Sequence, residues 1–289
     1  MIEDAKLLVP SPRIDAPDVA QQATVDSLLA RLRANRLRLQ VGRLLLALAT
    51  IALFVLAWEG IVVWRNYPSF ILPRPVEVVN KLVQMAGDGS LWRHAGITLT
   101  EILLGLALGL SSAMTLGYFL AKSVALERLL SPYIVALQSF PIIAIAPLLV
   151  IWVRDSGVRT VLICALTLFF PALVNTIVGL RSVEPELQAL MRSLRASRWQ
   201  VFAKLEVPAA MPVLLGGLKV GATLAVIGAV IGEFVGADRG LGFLINLARG
   251  LLDTPMLFVA MFTLVAIALG LYSLISIIEH RLLAWKRVK

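Results

Sequence analysis

Along this chain, long apolar runs alternate with short polar segments. Six runs approach 20 residues: Leu44 to Trp64, Ile97 to Leu120, Ile134 to Val153, Thr160 to Leu180, Val213 to Val235 and Met256 to Ile278. Stretches of that length with few charges predict transmembrane helices. Shorter amphipathic pieces lie between them, Val76 to Met85 after the turn Leu72-Pro73-Arg74-Pro75, and Phe243 to Leu252 before Asp253-Thr254-Pro255. In the second run Gly105, Gly109 and Gly117 recur at helical spacing and predict close helix packing. The third run holds Pro141 and Pro147, whose freed backbone carbonyls must be satisfied by neighbours or by a water-lined cavity. That span is either a broken helix beside a pathway or a kinked packing helix. The pattern predicts an all-α polytopic membrane protein with six transmembrane helices. A polar, basic segment over residues 1–42 precedes the transmembrane domain over 43–289.

One polar stretch between two apolar runs has a pattern of its own. Over residues 183–212, Leu187, Leu190, Met191 and Leu194 follow the spacing of one helix face. Pro185 suits a first helical position, and Glu184 and Glu186 suit the positive end of the helix dipole. The period breaks at Ala196-Ser197. Ser197 and Gln200 then form a capping box, which predicts a second short helix from Arg198. Pro208 and Pro212 are expected to close the segment. Two short helices joined at a sharp corner between spans have the form of a docking element.

This stretch resembles the cytoplasmic coupling loop of ABC importer permeases. That family's pattern is Glu-Ala-Ala, three residues, Gly, nine residues, an aliphatic residue, one residue, Leu-Pro. The matching positions here are Ala189, Leu190 and Met191, then Arg195, then Leu205, Val207 and Pro208. The spacing holds and the proline is present, while the Glu-Ala-Ala triplet and the glycine are replaced. Ala196 to Gln200, Ala-Ser-Arg-Trp-Gln, is similar to the nitrate/sulfonate/taurine branch. The resemblance covers roughly Leu72 to Lys286 and implies a type I importer fold with a cytoplasmic coupling-helix loop.

The resemblance also implies a function. The chain would be the permease of an ATP-driven importer, working as a homodimer with two copies of an ATP-binding subunit and an extracytoplasmic solute-binding protein. Leu194, Trp199 and Phe202 would fill a groove on the ATPase, Arg195 and Arg198 would meet its polar rim, and the Ser197 cap would stiffen the corner. The alternative packs Trp199 and Phe202 against the chain's own helices or the lipid interface. The runs SLRASRWQVFAKLEVPAAMP and GEFVGADRGLGFL are most similar to permeases for vitamins and vitamin precursors. That similarity implies riboflavin, with the thiamine pyrimidine precursor, nitrate, sulfonates or taurine, and bicarbonate as alternatives.

Composition narrows the chemistry. Hydrophobic residues make up 59% of the 289, beyond what a soluble domain carries. The net charge of +9 reflects the cytoplasmic Lys/Arg excess of a membrane protein rather than a nucleic-acid partner. With both ends inside the cell membrane, 18 of the 27 basic residues fall inside and 8 outside, and residues 183–212 face the cytoplasm. The basic stretch Val25 to Leu39 reads either as an amphipathic helix on anionic lipid or as a solvated tail. A single cysteine, Cys164, precludes a disulfide framework, and His94 and His280 read as surface or interface residues. No phosphate-binding Gly-rich loop, catalytic triad, paired carboxylates or cofactor motif appears, so a separate subunit must hydrolyse ATP. Glu59, Glu101 and Glu233 fall near the outer ends of their spans. Pro141, Pro147, Asn175, Thr223 and Glu233 are the candidates for lining a pathway. A secondary transporter would need deep ionisable groups and an inverted repeat, and a membrane enzyme a cluster of His, Asp or Glu; neither pattern is present.

Overall fold

In a computed structural model of the chain, the described residues are Gly42, Leu45, Leu46, 48–139 and 141–284. The basic stretch Val25 to Leu39 and Lys286, Arg287 and Lys289 of the tail lie outside them. The chain divides into two units, Met1–Trp64 and Arg65–Lys289. In the first, α1 (Leu48–Arg65) is apolar and long enough to cross a membrane. Within it the Thr50 hydroxyl donates to the Leu46 carbonyl at 2.8 Å, and the Phe54 and Trp58 rings lie 6.4 Å apart.

The second unit runs α2 (Pro75–Gly87), α3 (Ser90–Lys122), α4 (Val124–Gln138), α5 (Ile142–Trp152), α6 (Ser156–Arg181), α7 (Pro185–Ser193) and α8 (Arg198–Val201). A π turn (Phe202–Glu206) leads into α9 (Val207–Phe234), and α10 (Leu241–Leu251) and α11 (Thr254–Leu282) follow. Short side chains start several of these helices by accepting an otherwise orphaned N–H. Ser123 accepts from Leu126 N, Asp155 from Val158 N and Asp253 from Met256 N. Asp253 also pairs with Lys81 at 2.5 Å, which ties α2 to the start of α11.

α6 lies between α3 and α9 and packs closely on both. On one side Gly105 meets Cys164, Gly109 meets Ala165 and Leu168, and Gly117 meets Thr176. On the other, Gly228 meets Cys164 and Thr167, and Gly232 meets Thr160. A Cβ at Gly109 would lie 2.7 Å from the Ala165 carbonyl, so only glycine allows this approach. Lipid gives helices no hydrophobic reason to associate, so close contact and dispersion hold them. The three glycines of α3 play the part their spacing predicted, and the matching contacts of α9 had no such reading.

The structure decides between the sequence expectations in one place and departs from them in two. The third span takes the broken form: α4 and α5 are bent by 89°, and among the described residues five helices, or up to six with this pair read as one span, are long and apolar enough to cross a membrane. Pro141, without an N–H and with extended backbone (φ −69°, ψ 112°), stands before the first turn of α5. Secondly, Pro208 and Pro212 do not close the coupling segment but lie within α9, so that Arg198–Phe234 is one continuous helical run. The π turn explains this: Val207 N–H reaches back to the Phe202 carbonyl, and the widened turn accommodates a residue with no donor at Pro208. Thirdly, Lys219, a charge within the fifth apolar run, is paired inside the protein. It pairs with Glu279 of α11 and stands 5.5 Å above the Tyr272 ring, bridging α9 and α11.

Candidate functional site

The corner in residues 183–212 is built by two local motifs. α7 begins with Pro185 at its first turn and ends in a Schellman motif. Ala196 N–H donates to the Met191 carbonyl and Arg195 N–H to the Arg192 carbonyl, both at 3.0 Å. This closure needs a left-handed residue, and Arg195 supplies it at φ +48°. That is the position where the coupling-loop pattern has glycine, so arginine adopts here the conformation glycine takes without cost. Two residues on, Ser197 accepts from Gln200 N at 3.3 Å while the Gln200 side chain accepts from Ser197 N at 2.8 Å, closing the capping box of α8. These four bonds close the turn between α7 and α8.

What the corner presents is apolar and uncovered. No residue of α7 or α8 is buried. Leu187 and Leu190 are exposed, Leu194 is 67% exposed and Trp199 72%. Arg195, Ser197 and Arg198 are exposed beside them. Phe202 is different: it is half-buried and meets Tyr118 of α3 edge-on, with ring centroids 5.3 Å apart. Trp199 leans on Phe202 at 5.5 Å. Phe202 thus packs on the chain's own helices, while Trp199 keeps an open face.

Behind α8 lies an open cavity of about 590 Å³ between α3, α6 and α9. Met114, Tyr118, Thr176, Trp199, Phe202 and Met211 are among its walls, which are almost wholly apolar. Of the five pathway candidates, none lines this cavity. Asn175 lies on α6 against Gly217 of α9. Thr223 is exposed on α9, its hydroxyl donating to the Lys219 carbonyl, and Pro141 and Pro147 are exposed at and within α5. These residues do not converge; of the residues that line the cavity, Arg198, Trp199 and Phe202 were singled out in the sequence as docking residues, and the others carried no signal beyond helical spacing.

Glu233 lies at the opposite end of the bundle from the corner and is 1% exposed. Its carboxylate accepts from Thr98 Oγ1 at 2.6 Å and from Gly242 N at 2.5 Å. Thr98 Oγ1 accepts from Leu241 N at 2.8 Å, and His94 Nδ1 accepts from Gly240 N at 3.0 Å. Three side chains thereby hold the Gly236-Ala237-Asp238-Arg239-Gly240-Leu241-Gly242 turn on α3. Arg159 is buried and donates to the carbonyls of Gly236 at 2.6 Å and Val153 at 3.2 Å. Glu101 is buried nearby and, with Arg93 and Arg239, lines a shallow depression at this end. Among the described residues no group of His, Cys, Asp or Glu could hold a metal.

Residues 105–287 match the family described as binding-protein-dependent transport system inner membrane component. The chain belongs to this family. As such a permease it is a multi-pass membrane protein, the transport subunit of an ABC importer, which works with an ATP-binding subunit and a substrate-binding protein and is not itself the ATPase. Its relatives agree. The permease is 44% identical over 237 residues to the riboflavin transport system permease protein RibX of Chloroflexus aurantiacus, covering 82% of this chain and 88% of that one. It is 33% identical over 218 residues to the formylaminopyrimidine transport permease protein ThiX of Halalkalibacterium halodurans, covering 75% and 87%. In fold it is similar to a chain of the MetNI methionine ABC transporter in an inward-facing conformation, with a TM-score of 0.55 at 18% identity over 67% of this chain and 94% of that one.

Proposed function

We propose that this permease imports riboflavin. The observation that carries the reading is the 44% identity, over 82% of the chain, to a riboflavin permease. The formylaminopyrimidine permease, at 33% identity, supports the thiamine pyrimidine precursor as the second reading. Both substrates present flat aromatic rings, and the aromatic lining at Tyr118, Trp199 and Phe202 suits such a ring. The permease would work as a homodimer carrying two ATP-binding subunits, with both termini in the cytoplasm.

The ATPase would dock on the corner. The uncovered apolar face from Leu187 through Leu194 to Trp199 supports this, because burying each such side chain contributes about 1.5–3 kcal/mol. Arg195 and Arg198 would meet the rim of the groove, and Ser197 would keep α8 in register. Phe202 would serve from behind, holding Trp199 in place.

Uptake decides the substrate. A riboflavin auxotroph that expresses the permease with the ATPase and binding protein encoded beside it is expected to grow on submicromolar riboflavin. Growth rescue of a thiamine-pyrimidine auxotroph, without riboflavin uptake, would select the second reading. Docking is tested with the pair Trp199→Asp and Phe202→Asp, which should abolish co-purification of the ATPase; normal assembly would refute it. Sidedness is tested with Arg192→Cys, which a membrane-impermeant maleimide should label only in inside-out vesicles.

A further inference from the structure

The coupling corner touches the bundle by two routes of different kinds. α8 continues through the π turn into α9, so any rotation of the corner is delivered to α9 through the backbone. α3 has no such connection and is reached by side chains alone. Trp199 leans on Phe202, Phe202 on Tyr118, and Lys122 stands 5.6 Å over the Tyr118 ring. Lys122, the last residue of α3, pairs with Glu206, the last residue of the π turn. The contacts therefore leave the corner at Trp199 and return to it four residues after Phe202, closing a ring around the cytoplasmic end of α3.

The ion pair is the polar link of that ring. Glu206 is 4% exposed, and its second oxygen, Oε2, has no hydrogen-bond partner, so Lys122 is the charge that offsets its burial. Removing the lysine leaves a buried carboxylate uncompensated, and the aromatic contacts are then the remaining side-chain link from the corner to α3. The geometry matters because α6 lies between α3 and α9. If α9 moves and α3 does not, α6 is sheared between them; if both move, the three helices travel together. The far end of α3 holds the turn before α10 through His94 and Thr98, so α3 spans from the corner to the opposite face.

We propose that Lys122 and Glu206 are the positioning pair that makes α3 move with α9 when the ATPase drives the corner. The proposal rests on the docking reading above. The test uses the whole importer, permease with its ATPase and binding protein, in nanodiscs. Spin labels at Phe119→Cys and Leu187→Cys, in a Cys164→Ala background, report the distance from the last turn of α3 to α7. With the pair intact, trapping with ATP and vanadate should leave that distance unchanged. In Lys122→Met and in Glu206→Gln it should change, and stimulation of ATP hydrolysis by the binding protein should fall about tenfold. Assembly with the ATPase should persist in both. The exchange of charges, Lys122→Glu with Glu206→Lys, should restore both readouts. An unchanged distance with normal stimulation in both single variants would overturn the proposal. So would an exchange that assembles but restores nothing, since the pair would then be a fold contact only. If the unsubstituted permease fails to bind its ATPase through the corner, the docking reading falls first, and this proposal with it.

Discussion

Thr98 is the side chain on which the network around Glu233 can be tested most cleanly. It is fully buried, donates to Glu233 Oε1 at 2.6 Å and accepts from Leu241 N at 2.8 Å. Thr98→Val keeps the shape of the side chain and removes both bonds, so no cavity term enters. It leaves the Leu241 N–H buried without a partner and takes one of several donors from the Glu233 carboxylate. The orphan costs about 1–3 kcal/mol and the lost hydrogen bond to a charged group about 1.5 kcal/mol, together about 3 kcal/mol. For a unit of this size that converts to a fall in melting temperature of roughly 6–12 °C. The lone buried thiol, Cys164, supplies the assay: a fluorogenic maleimide reacts with it only as the bundle opens on heating in detergent. Thr98→Ser keeps both hydrogen bonds and gives up one methyl group, about 1 kcal/mol, and should melt within a few degrees of the native chain. If Val melts where the native chain does, or Ser falls as far as Val, the hydrogen bonds do not hold this turn and the account of Glu233 as its anchor fails.

The remaining predictions concern backbone and packing. At Arg195, held at φ +48°, Gly should leave stability unchanged or raise it by about 0.5 kcal/mol, as relief of left-handed strain outweighs added chain entropy. Val at the same position, branched at Cβ, should cost more than 1 kcal/mol and speed hydrogen exchange at Ala196 N–H, whose bond to Met191 closes the corner. Gly109→Leu must part α3 from α6, because even its Cβ would meet the Ala165 backbone at 2.7–2.9 Å; the expected result is loss of folded protein on size exclusion. Gly221→Ala, whose Cβ would meet only Leu168 at 3.9 Å, should instead stabilise α9 by up to about 1 kcal/mol in the same thiol assay.

Much of the coupling corner was legible in the sequence because it is made of local interactions. A capping box joins residues three apart, and a helix start needs only Pro185 in its first turn. Ser197, Gln200 and the i, i+3, i+4, i+7 face of α7 could therefore be read directly. The apolar runs announced the spans for the same reason: a helix in lipid satisfies its own backbone, so length and hydropathy suffice. The resemblance to the family rested on that one loop too, on the motif spacing together with the run Ala196 to Gln200.

The tertiary structure decided what depends on partners distant in sequence. Glu233 reads as an isolated intramembrane carboxylate until Thr98, 135 residues away, is brought beside it. Lys219 is a lone charge in an apolar run until Glu279 of α11 meets it, and Lys122 and Glu206 are plain charges until the π turn faces them toward each other. Pro208 and Pro212 gave the opposite of what they do, because whether a proline ends a helix depends on a widened turn upstream that residue spacing does not reveal. The underlying reason is one of range. Periodicity and caps are written within a few residues, whereas the neutralisation of a buried charge is written only in which helices meet.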